Sequence, residues 1–107
     1  MNIRLKNLSE IIASGNDLFA SKFNHLDIVM GIMDKNLRNQ GMNADAITID
    51  CSAVNKKIVI LIHDDKVDTV DIALGNKEGD IYSSSEYSIS EITETVIANL
   101  MEENFIS

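Results

Sequence analysis

Apolar residues recur along this chain with two periods. From Ile3 to Ser14, Leu5, Leu8, Ile11 and Ile12 share one helical stripe, and Gly15 just past it is the expected stop. Ser14 or Asn16 can cap a second helix reaching about Gln40, which Gly41 ends. Within it Phe19, Phe23, Leu26, Met30, Met33 and Leu37 are spaced 4, 3, 4, 3 and 4 residues apart, the seam of one helix face. Leu18, Ile28, Val29 and Ile32 widen the apolar arc beyond half the circumference. Such a helix is expected to be covered from two directions, by a sheet and by either another helix or a second copy of the chain. At roughly 25 residues it would be about 37 Å long and would overhang strands of about 23 Å.

Beyond residue 45 the period becomes two. Ala46 to Ser52 alternates, with Ile47, Ile49 and Cys51 on one side and Thr48 and Asp50 on the other. Lys57 to His63 holds an unbroken apolar run centred on Ile60 and rich in β-branched residues, the mark of a central strand buried on both faces. Ala53-Val54-Asn55 suits a tight hairpin, because Asn tolerates a left-handed backbone. Thr69 to Leu74 is a third strand, and a short, weak one surrounds Ile81 and Tyr82. Paired as a meander, Ile47, Ile49 and Cys51 lie beside Ile58, Ile60 and Ile62, and those beside Val70 and Ile72. The opposite face then holds Thr48, Asp50, Val59, Leu61, His63, Thr69, Asp71 and Ala73, apolar at the centre and polar at the border.

Ser88-Ile89-Ser90-Glu91 matches a capping box for a last helix that buries Ile89, Ile92, Val96, Ile97 and Leu100. Glu102 and Glu103 stand at the unfavourable end of its dipole, so its final turn is expected to fray. The expected fold is a single α+β domain over residues 1–107. Its order is α-α-β-β-β-β-α, with helices packed on one face of a four-stranded antiparallel meander.

Composition narrows the function more than it defines it. The net charge is −8, with residues 1–40 at +1 and residues 41–107 at −9. Two arginines and no basic cluster argue against nucleic acid or an anionic membrane as partner. The longest apolar run is six residues, against the roughly 20 that a membrane-spanning helix needs. A lone cysteine, Cys51, excludes an internal disulfide. The opening MNIRLKNLSEII lacks the roughly 7–15-residue apolar stretch of a secretory signal, so the expected compartment is the cytoplasm.

Motifs for chemistry are sparse. His25 and His63 with Cys51 are a poor start for zinc, which needs about four ligands, and no metal or cofactor is expected. Cys51 and His63 fall roughly 16 Å apart along one hairpin, too far for proton transfer, and Cys51 reads as a small buried hydrophobe. Asp64 to Asp71 departs from a calcium loop at Lys66, Thr69 and Gly75, and Asp68-Thr69-Val70 lacks the glycine of an aspartic-protease tripeptide. Gly75 to Asp80 lacks the Gly-Lys-Ser/Thr ending of a phosphate loop.

The expected function is therefore a non-enzymatic module that self-associates, as a dimer, or binds another protein. Its candidate interface is Leu18, Ile28, Val29 and Ile32, or the sheet centre at Val59 and Leu61. Small acidic secretion chaperones share this general character of composition. An acidic docking face at Glu91, Glu94 and Glu102 is a further option. The alternative is a small-ligand protein or enzyme in which Asp64 and Asp71 tune His63 as a general base.

Overall fold

The computed structural model describes residues 3–24 and 26–106, and they form one α+β domain of three helices and a five-stranded antiparallel sheet. Helix α1 spans Ile3–Lys22 without a break. Leu5, Leu8, Ile12, Gly15 and Phe19 are its buried positions, a 3-4-3-4 spacing that lays one stripe on the core. Gly15 is thus not a helix stop. A Cβ built there would lie 2.6 Å from Cβ and Cγ2 of Ile97 and 3.0 Å from the Glu94 carbonyl oxygen. The absent side chain is what lets the last helix approach.

The second long helix is not formed. Its seam is divided among the end of α1, a turn, strand β1 (Ile28–Met33) and the single-turn helix α2 (Asn36–Asn39). The physical reason lies in the run Ile28-Val29-Met30-Gly31-Ile32-Met33. Three β-branched residues and a glycine are poor helix interior, whereas an extended strand accommodates them and gains a ladder with β2 (Ala44–Cys51). Ile28 pairs with Cys51, Met30 with Ile49 and Ile32 with Ile47. The sheet therefore has five strands rather than four, and the short helix separates the first two. Gly41 does terminate a helix, but it is α2. At φ +90° it lets Gly41 N–H reach the Arg38 carbonyl and Met42 N–H reach the Leu37 carbonyl, a Schellman closure.

The rest of the meander follows the alternation. Strands β3 (Lys56–His63), β4 (Thr69–Gly75) and β5 (Ile81–Ser88) continue the order β1-β2-β3-β4-β5. Ile47 faces Ile60, which faces Ile72, so the apolar sets meet on one face as expected. Asn55 closes the β2–β3 hairpin at φ 52°, ψ 50°. The Ser88–Glu91 capping box is present, but it caps a 3-10 turn. Helix α3 (Glu94–Phe105) begins later, with Thr93 Oγ1 accepting from Val96 N–H at 3.2 Å. Its last turn is anchored by Phe105, buried and edge-on to Phe19 at 6.1 Å between ring centroids.

Helices α1 and α3 cover one face of the sheet. Cys51 has no exposed surface on that side, among the isoleucines of β2 and β3. The opposite face lies away from α1 and α3, with the short α2 touching β2, and it controls what the molecule can do.

Candidate functional site

The uncovered face is set by strand parity. β1 contributes Val29, Gly31 and Met33, and β2 contributes Ala44, Ala46, Thr48 and Asp50. β3 adds Lys57, Val59, Leu61 and His63, and β4 adds Thr69, Asp71 and Ala73. Small side chains dominate the floor. Ala44, Ala46, Thr48 and Ala73 are buried, with Val59, Leu61 and Met33 standing partly exposed beside them. Val29, at the margin, is 60% exposed.

The border is charged but internally paired. Lys57 Nζ lies 3.8 Å from Asp50 Oδ1, His63 Nε2 lies 3.1 Å from Asp71 Oδ2, and Lys66 Nζ lies 3.2 Å from Glu86 Oε2. The Glu86 contact raises the Lys66 pKa above its usual value. A strongly acidic chain thus presents a nearly neutral sheet face with an apolar middle.

Of the expected interface residues, the structure brings Val29, Val59 and Leu61 to this face. Ile28 and Ile32 belong to the helix side of β1, opposite Cys51 and Ile47. Ile28 packs against the core, while Ile32 is 40% exposed because it sits at the sheet margin. Leu18 faces a different hollow. It lines a cleft of about 120 Å³ between the end of α1 and α3, together with Phe23, Lys22, Asn99 and Glu102. Glu91 accepts from Ser88 N–H at 3.0 Å in the capping box, Glu94 opens α3, and Glu102 borders the Leu18 cleft.

Around His63, the sequence indicated a polar rim but missed the groups that organise it. Both arginines of the chain converge on the β3–β4 turn. Arg4 donates to the carbonyl oxygens of His63 and Lys66, each at 2.8 Å. Arg38, positioned by α2, donates from Nε and Nη2 to the two oxygens of Asp45 at 3.0 Å and from Nη1 and Nη2 to those of Asp64 at 2.7 and 2.8 Å. Asp45 is only 2% exposed, so the guanidinium neutralises a carboxylate taken out of water. Hydrogen bonding from Arg38 holds the Asp64 carboxyl below the usual carboxylate range, and Asp64 in turn raises the Arg38 pKa. His63 meets Asp71 but not Asp64, and the hollow at Met42, Asn43, His63, Asp64 and Asp65 is open to solvent. His25 lies outside the described residues.

Among the described residues, no three His, Cys, Asp or Glu side chains gather as ligands around one point, and no helix is long and apolar enough to cross a membrane. The site and fold define a two-layer α+β domain, with the sheet face turned away from α1 and α3 as its distinctive surface. No protein-family model, curated protein or solved structure matches the chain.

Proposed function

We propose that this protein is a non-enzymatic cytoplasmic docking module, adaptor- or chaperone-like, that works as a homodimer joined through its bare sheet faces. The observation that carries the reading is the uncovered face with Val59 and Leu61 at its apolar centre and every border carboxylate already paired. Five strands about 4.8 Å apart and about seven residues long outline roughly 24 by 23 Å, or about 550 Å² per copy. Two copies face to face would remove about 1,100 Å², at the lower edge of specific interfaces. Charge supports a second copy as occupant. Most of the −8 net charge lies off this face, so apposed faces bring little repulsion together.

A ligand site at His63 has less behind it, since Asp64 is committed to Arg38 and the adjoining hollow is open. Light scattering on a sizing column at about 100 μM tests the dimer. Twice the chain mass is expected, with Leu61→Asp eluting as a monomer of unchanged circular dichroism. A wild-type monomer, or a Leu61→Asp dimer, overturns the reading.

A further inference from the structure

A sheet in β1-β2-β3-β4-β5 order has two edges, and they differ in kind. β5 carries Ser83, Ser84, Ser85 and Glu86, and a register shift against β4 at Leu74/Gly75 distorts its pairing. Hydroxyls, a charge and an irregularity are the usual protections of a strand edge. β1 has none of them. Its six residues carry no charge, and Val29 and Ile32 are exposed on opposite sides of the same strand. Among the described residues nothing pairs with its outer side, which leaves a row of backbone donors and acceptors about 20 Å long.

A groove runs beside that edge, lined by Asn16 and Ala20 of α1 and by Leu26, Asp27, Ile28 and Val29. Asn16 is one of its polar walls, and Asn16 Oδ1 is the one buried side-chain polar atom, among the described residues, without a hydrogen-bond partner. The charges at the ends of the edge are acidic, with Asp27 before β1 and Asp34 after it, followed by Lys35.

We infer that the β1 edge binds an extended peptide segment by strand addition. The segment is about six residues long, alternates apolar with small hydroxyl side chains, and carries a lysine or arginine near each end. The ladder supplies affinity, and the apolar side chains, which share one face of the segment, cover Val29. The terminal cations meet Asp27 and Asp34.

The probe is a synthetic Lys-Val-Thr-Val-Ser-Val-Thr-Lys peptide, followed by fluorescence anisotropy, with amide hydrogen exchange to locate it. Saturable binding is expected, with protection rising at Ile28–Met33. Methylation of alternate backbone nitrogens on one edge of the peptide should abolish binding. The Asp27→Lys/Asp34→Lys variant should bind the lysine-ended peptide about tenfold more weakly and a glutamate-ended one more tightly. Leu61→Asp should leave the affinity unchanged, which separates this surface from the dimer face. Equal binding of the N-methylated peptide, no saturation by about 1 mM, protection at β5 instead of β1, or indifference to the charge reversal would each refute it.

Discussion

Replacing Gly15 with alanine tests the junction on which the helix layer depends. In an ordinary helix interior Gly→Ala is stabilising by about 0.8–1 kcal/mol, because alanine has less backbone entropy to lose. Here the new methyl would stand 2.6 Å from two atoms of Ile97, closer than carbon atoms pack, and 3.0 Å from the Glu94 carbonyl. Two of those three obstacles belong to a β-branched side chain near its root and the third is backbone, so the helices must separate. Overpacking of this sort costs about 1–3 kcal/mol. Contacts this short belong in the upper part of that range, about 2–3 kcal/mol, so after the propensity gain the net loss is about 1–2 kcal/mol, or roughly 5–10 °C in Tm for a domain of this size. Urea unfolding of Gly15→Ala, Ile97→Ala and the double variant gives the assay. The double variant should be more stable than additivity of the singles, with a coupling of about 1 kcal/mol, because losing the branch at Ile97 makes room for the methyl. A Gly15→Ala protein as stable as wild type or more so, or a cycle that closes at zero, would refute the close α1–α3 approach.

Arg38→Lys keeps a cation but loses the fork that spans Asp45 and Asp64, so its urea midpoint should fall further than that of Lys66→Ala, whose ion pair is exposed. Because the folded-state pKa of Asp64 is depressed, its contribution is present above the unfolded carboxylate value of about 3.9 and is lost as pH falls toward the folded value. Asp64→Asn should accordingly flatten the acid limb of a stability-versus-pH curve below about pH 4, and an unchanged limb would contradict the assignment. Phe105→Ala should cost about 3–5 kcal/mol in urea unfolding, whereas a frayed last turn would make it nearly silent. Cys51 has no exposed surface, so an aromatic disulfide reagent should react with it slowly in buffer and rapidly in denaturant.

The second half of the fold could be read from residue order because its signals are local and mutually consistent. Alternation in Ile47-Thr48-Ile49-Asp50-Cys51, the run around Ile60 and Asn55 at the turn all point to one hairpin with its apolar sets on one face, and to its register within a residue; the structure pairs Ile47 with Ile60 and Cys51 with Lys56. The first half misled for a definite reason. β1 is apolar on both sides, Ile28, Met30 and Ile32 toward the helices and Val29, Gly31 and Met33 away from them, so period two leaves no trace in it. Apolar density alone then satisfies a helical template. The discriminating signal was present in three β-branched residues around a glycine. Gly15 misled in the opposite sense, because a glycine chosen for helix–helix proximity looks like a glycine chosen for chain reversal until its neighbour is known. The bare face was visible as an apolar centre with a polar border. The Arg4 and Arg38 contacts to the β3–β4 turn were not, since Arg4 reaches its acceptors across 59 and 62 positions of chain.

That long reach bears on how the molecule comes together on the ribosome. α1 emerges first and can coil at once, yet its mooring on the His63 and Lys66 carbonyls exists only after three strands have followed. Its flank stays open longer still, until Ile97 slides over Gly15 and Phe105 caps Phe19. Biosynthesis therefore ends with the clasp: a chain halted before residue 94 would carry a finished meander beneath a half-roofed helix, with Phe19 bare to the first chaperone or protease that passes.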